Sequence, residues 1–181
     1  ADDAIFFFRK KEEAEAFYKD LFTRIKDYGL ELNGEKTNMI DFSMKSNKHF
    51  SFLGFTFCWG MKKGRKRPLI VKTQKTKLLK KIQEFYYWIK SARSKFRLSR
   101  LWKLAISKLH GHYNYFGYWT NRSSLWHFYN EALKSLFKWL NRRSQKKSFN
   151  WDEFNRRLIF NPLPKPAEAN NLRKLGSKRY A

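Results

Sequence analysis

The feature that most constrains this chain is a change of hydrophobic period near Thr73. Ahead of it, apolar residues come in short runs or alternate with polar ones, as strands do. Beyond it they recur every three to four residues, as on amphipathic helices. A chain patterned this way folds as an α+β molecule, a small sheet followed by a helical part. The expected divisions are residues 1–72, residues 73–166 and a basic tail over residues 167–181.

In the first part, Asp2 and Asp3 run directly into Ala4-Ile5-Phe6-Phe7-Phe8, which reads as a buried strand. The two acids are either a polar cap on that strand or a pair of hard oxygen ligands for a divalent cation. Ala14, Phe17, Tyr18, Leu21, Phe22, Ile25 and Tyr28 then fall at helical spacing, with Gly29 where a C-terminal cap belongs. Leu30 to Asn33 and Asn38 to Phe42 read as short extended pieces on either side of a Gly34-Glu35-Lys36 turn. Phe50 to Phe57 reads as a strand with a bulge at Gly54, and residues 50–72 as a hairpin whose tip carries Lys62, Lys63, Arg65, Lys66 and Arg67.

In the second part, Thr76 to Ala92 is an expected helix with Leu78, Leu79, Ile82, Phe85, Tyr86 and Ile89 inside and Lys77, Lys80, Lys81 and Lys90 outside. A second helix starts at Ser99. The stretch from His110 to Trp119, rich in rings and holding Gly111 and Gly117, predicts broken or unusually close-packed turns. Ser123 is a candidate N-cap for a third helix reaching Arg143, and Asn150 with Glu153 forms a capping-box pattern for a fourth. The Pro162, Pro164 and Pro166 segment cannot continue that helix.

Charge narrows the function. The 181 residues hold 40 Lys and Arg against 15 Asp and Glu, a formal +25 spread over nearly every segment, which implies a polyanionic partner. Aromatic residues make up 19% of the chain, and rings at that density need a core, which excludes a disordered basic polypeptide. One cysteine, Cys58, permits no internal disulfide and fits a reducing, cytoplasmic setting. No run approaches the roughly 20 apolar residues of a membrane span. Lys80, Lys81, Arg142, Arg143, Arg156 and Arg157 lie on or near faces opposite the apolar stripes and are candidate phosphate contacts. Tyr113, Tyr115 and Trp119 suit either base stacking or helix packing, with packing the commoner use of rings at this density. His110 and His112 have no Cys, Asp or Glu at ligand spacing and read as structural.

The order of these motifs resembles the second half of a group II intron-encoded reverse transcriptase. ADD entering an apolar stretch, a helix ending YGL, then LELNGEKT and FSFLGF is similar to the end of the polymerase palm. LHGHYNYFGYW, LFKWLNRRS and WDEF ending in NPLPKP is similar to the thumb or maturase region, and the likeness runs to about Pro166. It implies a small antiparallel palm-like sheet with one packed helix, then an all-helical thumb/maturase bundle.

By position, the resemblance implies that Asp2 and Asp3 hold Mg²⁺ for nucleotide addition, where two metals stabilise the attacking 3′-oxygen and the leaving pyrophosphate. It places Lys36 near the incoming dNTP triphosphate, although an ordinary solvated turn lysine is the plainer reading of that residue. Phe52, Leu53, Gly54 and Phe55 match a primer grip. The implied partners are intron RNA, a template–primer duplex and, in the complete enzyme, dNTP. The aromatic residue ahead of the ADD motif, the fingers and an earlier palm aspartate are not in this sequence, so the chain by itself is expected not to polymerise. Fewer than about 20 residues follow the Pro-rich segment, too few for a nuclease domain. The alternatives are a non-catalytic RNA-binding splicing factor and a defence-type reverse transcriptase outside introns. In a protein that also carries fingers and the earlier palm strand, Asp2→Ala or Asp3→Ala is expected to abolish Mg²⁺-dependent primer extension while leaving RNA affinity nearly intact. Undiminished extension would remove both residues from the metal site.

Overall fold

Leu78, Ile82, Phe85 and Ile89 stand three or four residues apart, a spacing that gathers them on one face of a helix. In the computed structural model they lie on such a helix, α2 (Lys75–Lys95), with Phe85 and Ile89 buried. The structure describes residues 3–60, 68–143 and 150–166. Within them α1 (Lys11–Asp27), β1 (His49–Phe52), β2 (Phe55–Trp59) and β3 (Leu69–Thr73) precede α2. After it come α3 (Leu98–Phe116), a 3-10 turn at Trp119–Asn121, α4 (Arg122–Leu140) and α5 (Trp151–Phe160). The strands form one antiparallel sheet in the order β1-β2-β3. The molecule is α+β, and its last described strand ends at Thr73, where the hydrophobic period changes. The chain divides into two compact units, Ala1–Leu53 with Phe57–Leu69, and Gly54–Thr56 with Ile70–Ala181.

In the first unit α1 ends as its sequence predicts. Gly29 takes φ 68°, its N–H donates to the Lys26 carbonyl (2.9 Å), and the Leu30 N–H donates to the Ile25 carbonyl (3.2 Å). That pair of bonds closes the helix end on a left-handed glycine. The expected strand at Ala4–Phe8 does not form. Those residues are irregular and exposed, with the Phe6 and Phe8 rings 4.8 and 5.1 Å from Phe17 of α1. An apolar run becomes a strand only when a neighbouring edge takes its backbone hydrogen bonds, and these side chains pack on a helix instead. The pieces at Leu30–Asn33 and Asn38–Phe42 are irregular for a related reason. Asn33 holds the loop locally, its carbonyl accepting from the N–H groups of Lys36 (3.1 Å) and Thr37 (3.0 Å) and its Oδ1 from Lys36 N–H (3.1 Å). Side-chain-to-backbone bonds of this kind compete with a sheet ladder.

The Phe50–Phe57 run is a hairpin and not one bulged strand. Leu53 (φ 49°) and Gly54 (φ 79°) both sit in the left-handed region, the requirement for the two central residues of a type I′ turn, and β1 and β2 flank them. Leucine in that conformation costs about 1–2 kcal/mol. Within the second unit, the Gly54 carbonyl accepts the Gln74 N–H (2.9 Å), and a Cβ on Gly54 would lie 3.4 Å from the Lys77 Cγ and 3.7 Å from a Phe116 ring atom. The expected cationic tip at residues 61–67 lies outside the described residues, and at its base the Gly60 N–H donates to the Pro68 carbonyl (2.8 Å).

The core lies in the second unit. Leu101, Ala105 and Leu109 of α3, Leu125, Ala132 and Leu136 of α4, and Phe154 of α5 are buried around Phe85, Ile89 and Ala92 of α2. Predicted breaks at Gly111 are absent, because α3 runs unbroken to Phe116, with buried Leu109, His112 and Tyr113 holding the turns on either side. Packing outweighs the roughly 0.5–1 kcal/mol that a mid-helix glycine costs. The helix starting near residue 122 takes Asn121 as N-cap, not Ser123, which lies inside it. At α5 the predicted capping box forms, with Glu153 N–H donating to Asn150 Oδ1 (2.9 Å) and Asn150 N–H to Glu153 Oε2 (2.8 Å).

One buried amide ties β3 to the helices. As an edge strand, β3 turns the backbone groups of Val71 and Thr73 away from β2. The Thr120 hydroxyl accepts from Val71 N–H (2.9 Å) and donates to the Val71 carbonyl (2.7 Å). Asn121, with no exposed surface, accepts from Thr73 N–H at Oδ1 (2.8 Å) and donates from Nδ2 to Thr73 Oγ1 (2.6 Å) and to the Phe116 carbonyl (2.8 Å). Asn121→Ala leaves those partners buried and unpaired and is expected to cost about 2–4 kcal/mol. Asn121→Asp, which cannot donate to the Phe116 carbonyl, should destabilise as well. Urea unfolding measures both, and a loss below about 1 kcal/mol for the alanine variant contradicts the role.

Candidate nucleic-acid interface

Two groups of cations in the second unit stand against aromatic rings. The first surrounds Trp139. Lys90 and Arg93 are one turn apart on α2, Lys138 lies in the last turn of α4, and Arg142 follows in the turn after it. The packed helices bring all four charges to one ring, with Arg93 at 4.6 Å from its centroid, Lys138 at 5.5 Å, and Lys90 and Arg142 both at 5.6 Å. Lys138 also donates to the Tyr86 hydroxyl (2.9 Å), and that bond holds the Tyr86 phenol below its usual pKa. The side-chain ion pairs found among the described residues lie elsewhere, at Lys10–Glu13, Lys11–Glu15, Lys81–Glu84 and Glu131–Lys134. Each cation–π contact at such a surface is worth about 0.5–1 kcal/mol. Four like charges on one buried indole also repel one another, and an anion placed among them relieves that repulsion.

The second group lines an open cleft of about 430 Å³ between α2 and α3, with Phe128 of α4 also in its lining. Lys77, Lys81 and Lys108 reach it, with Glu84 paired to Lys81 (2.7 Å) and Lys108 standing 5.0 Å over the Trp88 ring. Tyr115 and Phe116 are in the lining too, their rings edge to face at 4.7 Å with Phe116 buried. His112 stacks flat on Phe128, with centroids 3.7 Å apart and planes 13° apart, and its buried Nε2 meets no hydrogen-bond partner among the described residues. Burial pushes the His112 imidazole down to about 4, with the Lys81 charge adding to the shift, so it is neutral at pH 7.

The residues singled out from sequence scatter. Asp2, Lys62, Lys63, Arg65, Lys66 and Arg67 lie outside the described residues. Asp3 is exposed on irregular backbone ahead of α1, and Lys36 is exposed in the Asn33 turn. Among the described residues no group of three or more His, Cys, Asp or Glu side chains is placed to hold a metal ion. Phe52, Leu53, Gly54 and Phe55, expected as one bulged strand, are the hairpin turn and its flanks. Lys80 is exposed on α2, Lys81 enters the cleft, Arg142 joins the Trp139 group, and Arg143 follows it in the turn after α4. Arg156 is exposed on α5, whereas Arg157 is half-buried 5.6 Å over the Trp102 ring, a packing position. Tyr113 is buried in the core, while Tyr115 and Trp119 are half exposed.

Arg93, Lys138 and Lys108 were not among the residues expected to meet phosphate. A signal for the first two exists in the sequence, cations three residues apart at Lys90 and Arg93 and four apart at Lys138 and Arg142, with Trp139 beside the second pair, but it becomes a cluster only when α2 and α4 pack. Nothing in the sequence marks the cleft.

Because the His112 pKa is lowered on folding from an unfolded value near 6.5 to about 4, the unfolded chain binds more protons between those values. Stability is full above about pH 6.5 and falls as pH drops towards 4, by at most about 3 kcal/mol from this group. His112→Phe, which keeps a ring on Phe128, is expected to flatten that acid limb in urea titrations run from pH 7 to pH 4. An unchanged slope would assign the acid loss to other groups. In comparisons with known proteins, the chain matches no family model, no curated protein and no solved structure.

Proposed function

We propose that this chain is the RNA-gripping part of a group II intron-type reverse transcriptase and maturase, a protein that copies RNA into DNA and holds its intron RNA for splicing and mobility. The observation that carries RNA binding is the group of Lys90, Arg93, Lys138 and Arg142 around Trp139, four cations on packed helices in a chain of formal charge +25. Phosphates bound there release condensed counterions, which drives association and makes it salt-dependent. Trp139 and the helix packing hold the four side chains in one place, so less side-chain entropy is lost when phosphates bind.

The narrower reading draws on the order of motifs along the chain. A three-stranded antiparallel sheet followed in sequence by a helical unit supports assigning the strands to a palm and the helices to a thumb. The tight Phe52–Phe55 turn is the segment that the resemblance assigns to a primer grip. Asp2 and Asp3 would be the ligands for Mg²⁺, whose chemistry in such enzymes is to neutralise charge on the reacting phosphate. That polymerase part rests on the resemblance alone. A non-catalytic RNA-binding splicing factor is the second reading, favoured by the position of both cation groups in the helical unit and by the exposure of Asp3 and Lys36 on irregular backbone.

RNA affinity measured by fluorescence anisotropy over a range of KCl tests the carrying observation. Replacing Lys90, Arg93, Lys138 and Arg142 together by Gln is expected to weaken binding and to reduce the log–log salt slope by roughly 0.7 for each single-strand phosphate that is no longer neutralised. A slope equal to that of the unaltered chain would leave the Trp139 group as ordinary surface.

A further inference from the structure

The cleft between α2 and α3 combines properties that a phosphate track does not need. Its volume of about 430 Å³ lies in the range of small-molecule sites, about 300–1,000 Å³. Three lysines, Lys77, Lys81 and Lys108, against one Glu84 leave a surplus of two positive charges, the complement of a phosphate monoester dianion. The rest of the lining is largely aromatic, with Tyr115 half exposed beside buried Phe116, and its ring stacked on Phe55 (5.8 Å). His112, more than nine-tenths buried, also borders the cleft, its ring stacked on Phe128. Gly111 sits in the wall with nothing within 4 Å of the place a Cβ would take.

We propose that this cleft takes one nucleoside monophosphate unit, its base against the exposed part of Tyr115 and its phosphate among Lys77, Lys81 and Lys108. Flat rings stack on an aromatic wall whatever their identity, so the stacking half tolerates any base. The unit is either a free nucleotide or one unstacked residue of a single strand, and both present the same chemistry. The inference deepens the RNA-binding reading, because the cleft would hold a single unpaired residue while the Trp139 group holds backbone.

Isothermal titration of the whole chain with adenosine 5′-monophosphate, adenosine and inorganic phosphate tests it. The monophosphate is expected to bind at least about tenfold more tightly than either part alone, and Tyr115→Ala or Lys108→Gln to weaken it by about tenfold. Gly111→Leu, whose Cβ meets nothing within 4 Å, puts a side chain beside the cleft and should abolish binding while the circular dichroism and the urea midpoint stay at or above those of the unaltered chain. Monophosphate binding no tighter than phosphate, or unaffected by Gly111→Leu, overturns the proposal. A short adenosine oligomer that displaces the monophosphate identifies the strand as the source, and one that binds without displacing it identifies the free nucleotide. The two readings fail separately. Salt-dependent RNA binding without monophosphate binding sinks the cleft alone, and monophosphate binding without RNA binding sinks the RNA reading alone.

Discussion

The second unit depends on one fully buried amide. Asn121 stands at the junction of α3 and α4 and spends both its carbonyl and its NH₂ on groups that no regular element can satisfy, the free edge of β3 and the last turn of α3. Thr120 beside it closes the other exposed pair of β3 backbone groups. An uncovered strand edge invites pairing with another chain, and burying one without partners is costly. Two adjacent side chains solve both problems and also set where the strand lies against the helices of this unit. Because β3 leads into α2 through Gln74, whose N–H bonds to the hairpin carbonyl of Gly54, the position of α2 follows from the same cluster.

Once α2 is placed, the electrostatics follow. The chain carries far more cations than carboxylates can neutralise, and the second unit deals with the excess by laying cations over rings. Arg157 on Trp102 is an isolated instance that helps packing, and Lys108 on Trp88 is one whose residue also borders the cleft. At Trp139 four such contacts converge, and the sum changes character from packing to a local positive field. The cleft is a third case, where buried His112 stays neutral because desolvation and Lys81 both oppose its charge. A neutral imidazole on Phe128 leaves the positive charge of that cleft on its lysines.

The first unit is built differently. Its helix α1 has no buried residue, and its connections are held by short-range bonds such as the Asn33 loop and the Gly29 helix end. Rings supply most of the remaining cohesion, with Phe42 stacked 5.4 Å from Trp59, whose Nε1 donates to the Phe42 carbonyl (3.0 Å), and Phe50 stacked 4.9 Å from Phe57.

Sequence alone determined the helices, the change of architecture at Thr73 and the two helix termini with explicit chemistry, the left-handed Gly29 end and the Asn150–Glu153 box. Their hydrogen bonds close within four to six residues, so spacing and residue type are enough to read them. It also determined the large positive charge. Tertiary structure decided the rest. Ala4–Phe8 has strand composition but no ladder, Phe50–Phe57 folds back at Leu53–Gly54, and α3 passes through Gly111 because its buried neighbours hold it. The candidate sites belong to that second category. Lys90 and Arg142 are 52 positions apart in the chain, and Lys77 and Lys108 are 31 apart, so each group exists only where packing has set helices side by side. Local bonding writes elements into a sequence, whereas the meeting of distant side chains is settled by the core that forms between them.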